Sequence, residues 1–209
     1  MSDMRPSVLI ACNKSVRNTY LSTVELQRLE VFADWSWFAC EGGGIYEAQE
    51  DLEQSAALVE RLDGVDALVV CHGAPRLNAA MMDKKQGLKI VGELEGDRFA
   101  ARIDLDAAWQ HGIRVVDTTN GSSYPVAEWA LALILISLKQ AGAHFRRIIA
   151  GQTGRDANLV AKMSGVLKGK RVGLIGCGHM GRRLIKLFSP FENEIWVYDP
   201  YLPREMAEV

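Results

Sequence analysis

The sequence predicts an α/β fold built on parallel β-sheets. Short apolar runs recur along the chain, and segments with helical periodicity or turn residues separate them. Apolar runs of this length suit strands that are covered on both faces of a sheet. The predicted strands cover residues 7–11, 35–39, 67–71, 89–92, 113–117, 170–175 and 194–198.

Helical segments are predicted between these strands. Residues 48–62 place apolar side chains at helical spacing. Residues 104–111 form a second predicted helix, which Gly112 ends. Residues 151–170 are polar and contain glycine, so we expect a connecting segment there.

A longer helix is predicted to begin near Pro125. Proline suits the first helical turn, and Ser122 or Ser123 can cap the helix. Residues 126–138 are apolar almost all round, so we expect this helix to be buried and covered on several sides. The stretch contains Glu128 and is shorter than the roughly 20 residues that span a bilayer, so no membrane partner is expected.

The charge of the chain excludes one class of partner. With 24 Lys and Arg against 26 Asp and Glu, the net charge is −2. No basic face is evident, so nucleic-acid binding is not expected. The paired arginines at Arg146, Arg147, Arg182 and Arg183 are assigned to solvated helix faces.

The cysteine pattern predicts neither a disulfide framework nor a metal site. The four cysteines are widely spaced, with no C-x-x-C pair and no histidine cluster beside them. We expect small apolar residues at strand ends in a reducing compartment. No secretory signal is evident, which favours a cytoplasmic protein. The cysteines are Cys12, Cys40, Cys71 and Cys177.

The strongest local motif is a G-x-G-x-x-G turn that follows a predicted strand and precedes a predicted helix. Gly176 allows a sharp turn off the strand, Gly178 allows the backbone to approach a pyrophosphate, and Gly181 allows close helix–strand packing. The amides of His179 and Met180 then point at phosphate oxygens from a helix N-terminus. We assign His179 this backbone role and no part in proton transfer.

A carboxylate follows where a dinucleotide site requires one. Asp199 ends the next predicted strand, eighteen residues after Gly181, and can accept hydrogen bonds from a ribose 2′-hydroxyl. Its charge repels a 2′-phosphate, so NAD is favoured over NADP, although Arg204 lies nearby in the sequence. The alternative interpretation is a structural βαβ unit, residues 170–199, with a surface aspartate.

Two stretches resemble the D-isomer-specific 2-hydroxyacid dehydrogenase family. Residues 166–203 contain the LKGK strand start, the glycine turn and a Y-D-P strand end. Residues 103–138 contain the I-D-x-x-A-A, G-I-x-V and V-A-E segments. The first half of the chain resembles the family only in its alternation of predicted strands and helices.

The resemblance implies two domains. Residues 1–120 are expected to form a flavodoxin-like substrate domain, and residues 121–209 the start of a Rossmann-type NAD-binding domain. Val126 matches the family position that faces the nicotinamide, and Ser122 matches a position that lines the same cleft.

The resemblance also indicates where a substrate is bound. His72 and Gly73 lie in one loop that is expected to reach the cleft, and Glu95 and Gly96 lie in another. A solvated loop histidine is the favoured interpretation of His72. The second loop is more acidic than in the family, which disfavours an anionic 2-oxo acid unless an arginine turns inward. The charged residues concerned are Glu93, Glu95, Arg98 and Arg102.

The implied function is hydride transfer between NAD and a D-2-hydroxy acid or 2-oxo acid, by a protein that is a homodimer when complete. The family's catalytic arginine, glutamate and histidine lie beyond its second cofactor-domain strand, hence beyond Val209. We therefore expect a fragment that has no catalytic residue and no activity by itself, with the long helix and a strand edge uncovered. The alternative is a non-catalytic dinucleotide-sensing protein, like the corepressors that share this fold.

Overall fold

The computed structural model describes residues 5–42, 51–85, 87–94, 102–118, 120–154, 156–161 and 165–202. The chain divides into two compact units, Met1–Thr119 and Asn120–Val209. Each unit is described by itself below.

The first unit is built on a five-stranded parallel sheet with the order β2-β1-β3-β4-β5. This is the strand order of flavodoxin-like doubly wound folds. The predicted α/β architecture is therefore confirmed, and each strand end lies within one residue of its predicted position. The strands are β1 Ser7–Cys12, β2 Asp34–Ala39, β3 Ala67–Val70, β4 Ile90–Glu93 and β5 Arg114–Asp117.

Five short helices of the first unit begin at side-chain caps. At each start an Asn, Ser or Asp side chain accepts the backbone N–H three residues later, which satisfies a donor that the helix cannot pair. Only α3, from its periodicity, and α5, from the helix end at Gly112, were expected. The part of predicted helix 48–62 before Asp51 lies outside the described residues. The helices are α1 Lys14–Thr19, α2 Thr23–Glu30, α3 Leu52–Arg61, α4 Ala79–Lys84 and α5 Leu105–Gln110, with caps Asn13, Ser22, Asp51, Asn78 and Asp104.

The sheet has an apolar layer on each face. Leu9 and Ala11 of β1 point into one layer, while Val8 and Ile10 point into the other, as the alternation of a strand requires. The first layer also contains Leu58 of α3. The helices and sheet therefore form a three-layer α/β/α unit that fixes the carboxyl ends of its strands.

The second unit contains a strand, a glycine turn, a helix and a parallel strand in succession. Strands β6 and β7 pair from Arg171↔Glu194 to Ile175↔Tyr198, and α9 connects them. This βαβ unit is the predicted start of a Rossmann-type sheet. The elements are α6 Ser123–Leu138, α7 Ala141–Ile149, α8 Ala157–Ala161, β6 Arg171–Ile175, α9 His179–Phe188 and β7 Glu194–Tyr198, with a 3₁₀ turn at Ser189–Phe191. Helix α8 lies inside residues 151–170, which were expected to be only a connection.

The apolar helix α6 is largely exposed within the described residues, contrary to the expectation of a buried helix but in agreement with the expectation that this chain alone leaves it uncovered. Trp129 is 63% exposed and Leu133 44% exposed, and only Ser123 and Ala127 of this helix are buried. Among the described residues, α9 is the principal element packed against it. Ser122 occupies the cap position, yet its side chain makes no capping hydrogen bond.

No single helix in the described ranges is long and apolar enough to cross a membrane. Helices α6 and α7 together have that length and composition, with a bend of 70° between them. The apolar character of this part of the chain is thus shared by two helices in different directions.

Two charged residues are buried at the carboxyl edge of the first sheet. Glu93, the last residue of β4, is 1% exposed, and Arg102 is fully buried. Arg102 Nη1 donates to the carbonyl oxygen of Ala74 at 2.8 Å. Burial lowers the pKa of Arg102, while Cys71 and Glu93 act in the opposite direction. The charge of Glu93 therefore partly compensates the buried guanidinium.

Replacing the buried cation should destabilise the first unit strongly. Arg102→Met leaves the Glu93 charge buried without its compensating cation, and we expect a loss of about 3–5 kcal/mol in the free energy of unfolding. Amide hydrogen exchange of β3 in increasing urea reports this unit alone.

The control is Arg114→Met, which removes an exposed arginine and should change stability by less than about 0.5 kcal/mol. The double variant Glu93→Gln/Arg102→Met should regain part of the loss. Equal effects of Arg102→Met and Arg114→Met would contradict the role given to the buried charges.

Candidate functional site

The three glycines of the turn differ in what constrains them. Gly176 has a φ of 86°, which non-glycine residues rarely adopt. A Cβ on Gly181 would lie 2.8 Å from the carbonyl oxygen of Gly176, so this glycine permits the helix to pack against the strand end. A Cβ on Gly178 would have no described atom within 4 Å. Gly178 therefore faces open space.

Helix α9 starts at this open space without a side-chain cap. Gly178 is the N-cap residue, and helix α9 begins at His179. The first backbone N–H groups of a helix have no partner within the helix, and its N-terminus attracts negative charge. Met180 is 50% exposed. Backbone donors and a helix dipole therefore face the space beside Gly178, an arrangement that can bind phosphate.

Asp199 is joined to the turn by a hydrogen bond. Its Oδ2 accepts the N–H of Cys177 at 2.7 Å, and its Oδ1 accepts the N–H of Tyr201 at 2.9 Å. These backbone donors hold the pKa of the Asp199 carboxyl below its usual range. A carboxylate has about four lone-pair sites. Each oxygen of Asp199 can therefore accept a further hydroxyl group while keeping its backbone bond.

Of the two arginines that follow the turn, Arg182 is exposed, as predicted, whereas Arg183 is only partly exposed, contrary to the solvated position predicted for it. Arg182 Nε donates to the carbonyl oxygen of Cys177 at 3.1 Å. Arg183 Nε donates to Ser123 Oγ at 2.6 Å, and its Nη2 donates to Asn120 Oδ1 at 3.0 Å. The assignment of Arg147 also needs correction, since its Nη1 lies 3.0 Å from Asp156 Oδ2.

The predicted nicotinamide-side residues lie at the exposed beginning of α6. Ser122 is exposed, and Val126 is 43% exposed. Ser123 between them is buried and bonded to Arg183. The second unit therefore brings together the glycine turn and Asp199. Arg183, which lies in α9 just after the turn, bonds this helix to the beginning of α6.

The carboxyl edge of the first sheet holds two of the other predicted site residues, Gly73 and His72. Gly73 is in close contact there, since a Cβ on it would lie 2.7 Å from Asn13 Cβ. His72 is half-buried, and its ring packs edge-on against Tyr20 at 5.9 Å between centroids. Glu95 and Gly96 lie outside the described residues.

His72 is not the solvated loop histidine that was favoured. Its Nε2 is inaccessible to solvent, and burial, followed by the charge of Arg102, lowers the pKa of His72 below its usual value. Arg102 does turn inward, as an anionic substrate was expected to require, but it is buried together with Glu93. Neither charge is exposed to a ligand in the described residues.

All four cysteines are free and buried. Cys12 ends β1, and Cys40 and Cys71 directly follow β2 and β3, as expected of small apolar residues at strand ends. Burial raises the pKa of Cys40 to about 12 and that of Cys71 to about 11. The thiols of Cys40 and Cys71 are therefore protonated at neutral pH, and the role of these two residues is packing.

Comparison with known proteins identifies the family. Residues 22–189 match the model of the D-isomer specific 2-hydroxyacid dehydrogenase catalytic domain. The chain belongs to this family of NAD(P)-dependent oxidoreductases. A D-3-phosphoglycerate dehydrogenase of Methanocaldococcus jannaschii is 34% identical over 155 residues, which cover 72% of this chain and 28% of that enzyme. The chain thus spans less than a third of the length of this curated relative.

Solved structures share the fold. A phosphoglycerate oxidoreductase from Rhizobium etli superposes with a TM-score of 0.77 at 21% identity, over 98% of this chain and 59% of that one. An NAD⁺-bound 3-phosphoglycerate dehydrogenase of Entamoeba histolytica gives a TM-score of 0.57 at 17% identity, over 97% and 56% of the two chains. At these identities the comparison establishes the α/β fold.

Sequence reasoning missed three contacts around the turn. They are the Cys177–Asp199 hydrogen bond, the Arg182–Cys177 hydrogen bond and the Arg183 contacts with the beginning of α6. The strand–turn–helix–strand order already implied that Asp199 lies near the turn. No local pattern indicated the Arg183 contacts, which connect residues 60 positions apart.

The geometry of the turn predicts that alanine changes the stability little at Gly178 and lowers it at Gly181. Gly178→Ala adds a methyl group in open space, so the free energy of unfolding should change by less than about 1 kcal/mol. Gly181→Ala forces a methyl group against a backbone carbonyl and should cost about 1–3 kcal/mol. Thermal unfolding of the two variants, followed by circular dichroism, checks this. A larger loss for Gly178→Ala than for Gly181→Ala would contradict the geometry of the turn.

Proposed function

We propose that the second unit binds NAD and that the whole protein transfers a hydride between this cofactor and a D-2-hydroxy acid or 2-oxo acid. The observation that best supports the proposal is the joined arrangement of the open glycine turn and Asp199. The turn offers backbone donors for a pyrophosphate, and Asp199 offers acceptors for a ribose. The residues proposed to hold the cofactor are Gly176, Gly178, His179, Met180, Gly181 and Asp199, with Ser122 and Val126 on the nicotinamide side.

The choice of NAD rests on the charge of Asp199. Its lowered pKa keeps it ionised at neutral pH, and an ionised carboxylate repels a 2′-phosphate. Arg182 is the cation that contributes to the lowered pKa of Asp199. Because Arg182 also bonds to the Cys177 carbonyl, we propose that it stabilises the turn. The ribose hydroxyls are then bound by Asp199 and not by Arg182.

We propose that the 209 residues bind cofactor without catalysing hydride transfer. The reaction needs a cation for the substrate carboxylate and a proton donor for the developing alkoxide. Arg182 and Arg183, which follow the turn, are engaged by the backbone and by α6. His179 is proposed to lie beside the phosphates, away from the nicotinamide. The catalytic groups are therefore proposed to come from the remainder of the whole protein.

Further assignments are proposals on the same basis. The first unit is proposed to be the substrate domain, with a small hydroxy or oxo acid as its ligand. The whole protein is proposed to be a cytoplasmic homodimer with neither nucleic acid nor membrane as a partner. The exposed apolar residues of α6 support burial of this helix in a larger assembly.

Replacing Asp199 should weaken NADH binding and narrow the preference over NADPH. Asp199→Ala removes a charged acceptor, whose hydrogen bonds typically contribute a factor of about 10–100 in affinity. Isothermal titration of the chain with NADH and NADPH measures both constants. A wild-type chain that binds NADPH more tightly than NADH would refute the assignment of Asp199.

Two further variants accompany this experiment, one expected to abolish dinucleotide binding and one expected to leave it unchanged. Gly178→Val fills the space proposed for the pyrophosphate and should abolish binding of both dinucleotides in a folded chain. Glu192→Ala removes an exposed carboxylate, which pairs with Lys168, and should leave both affinities unchanged. Unchanged binding by folded Gly178→Val is the result that would remove the phosphate assignment.

The chain alone should show no dehydrogenase activity. Loss of a single acid/base group costs about 10²–10⁴-fold in rate, and here the substrate cation is proposed to be absent as well. The measurement is NADH oxidation by the purified chain with a panel of 2-oxo acids. Clear turnover would place catalytic groups within these residues, with His72 as the first candidate.

A further inference from the structure

The contacts of Arg183 join two parts of the second unit that are distant in sequence. Its guanidinium donates to Ser123 Oγ at 2.6 Å and to Asn120 Oδ1 at 3.0 Å. The same group lies over the ring of Tyr124, 3.1 Å from the centroid. One side chain thus contacts three residues of the turn that begins α6.

The contacted turn is organised around a buried hydroxyl. Ser123 is 1% exposed, and its Oγ lies 2.8 Å from both the carbonyl oxygen and the side-chain oxygen of Asn120. The hydroxyl donates to Asn120 while it accepts from Arg183. The guanidinium therefore fixes the turn by hydrogen bonds and also fixes Tyr124 by a cation–π contact.

Arg183 also lies close to the phosphate turn. It is four residues beyond His179 in α9, about one helical turn or 6 Å along the helix. Ser122 is the N-cap residue of α6 and directly precedes Ser123, and Val126 lies three residues after Ser123 in the helix. Arg183 therefore sets how far the beginning of α6 lies from the Gly176–Gly181 turn.

We propose that Arg183 is a positioning residue for the nicotinamide half of the dinucleotide. The inference rests on the proposed NAD site and deepens it. The adenosine half is proposed to use Asp199 and the phosphate turn. Among the described contacts, the Arg183 side chain bonds to Ser123 and Asn120 instead. In the proposed site, the half beyond the pyrophosphate extends toward the beginning of α6, where Ser122 and Val126 are proposed to lie on the nicotinamide side and where Arg183 makes its contacts. Loss of Arg183 should weaken binding of that half alone.

The experiment compares ADP with NADH on the 209-residue chain by isothermal titration. ADP contains the adenosine and the pyrophosphate but lacks the nicotinamide ribose. For Arg183→Met we expect about tenfold weaker NADH binding, the loss expected for hydrogen bonds to a charged group. ADP affinity should stay within about twofold. Arg183→Lys should restore only part of the NADH affinity, because lysine lacks the planar fork of donors.

Three further variants separate positioning from general effects. Arg182→Met removes the neighbouring arginine at the phosphate turn and should weaken ADP and NADH together. Arg171→Met removes an arginine paired with Glu194 at the opposite strand ends and should change neither. Asn120→Ala removes one exposed partner of Arg183 and should reproduce the selective NADH loss at about threefold. It provides the decisive comparison if Arg183→Met fails to fold.

The outcomes distinguish this inference from the proposed function. A wild-type chain that binds neither ADP nor NADH would overturn the dinucleotide site itself. If the wild type binds both ligands equally, or the Arg183 and Asn120 variants weaken both in parallel or neither, the positioning role is wrong while the site stands. A selective loss of NADH affinity supports the role.

Discussion

The hydrogen bond from the Cys177 amide to Asp199 is the contact on which the candidate site depends. At 2.7 Å it joins the glycine turn after β6 to the residue that directly follows β7. The Gly176 amide, which donates to the Tyr198 carbonyl at 2.8 Å, continues the same ladder. Because the two strand ends are joined, the donors of the turn and the carboxylate of Asp199 lie side by side, where the proposed dinucleotide can contact both. A pyrophosphate and its ribose require that arrangement.

Helix α9 connects the joined strand ends to the rest of the second unit. Its close approach to the strand depends on Gly181, and its uncapped first turn faces the space beside Gly178. One turn later, Arg183 fixes the beginning of α6. The proposed binding surface of this unit is therefore built from its turns and helix ends. Few of its apolar side chains are buried, whereas the first unit has two apolar layers around its sheet.

The sequence was sufficient for the strands and the glycine turn because both depend on local patterns. Helices α1, α2 and α4 were missed because six to eight residues are too few for periodicity to be measured. Helix α5 is equally short, and its prediction depended on Gly112 as the helix end. The expectation that α6 is buried was wrong because an apolar pattern shows only that a helix has side chains to bury. Whether they are buried depends on which other segments pack against the helix. The roles of Arg102 and Arg183 depend on contacts with residues 28 and 60 positions away, which no local pattern encodes.

The most direct test of the account is a titration of the isotope-labelled chain with ADP, followed through its backbone amide resonances. The account predicts that the largest chemical-shift changes occur at residues 177–180 and at Tyr201, whose amide shares the Asp199 carboxylate. The amides of β6 near Arg171, at the opposite end of the strand, should hardly shift. Changes that are absent from the turn, or that concentrate in the first unit, would contradict the account.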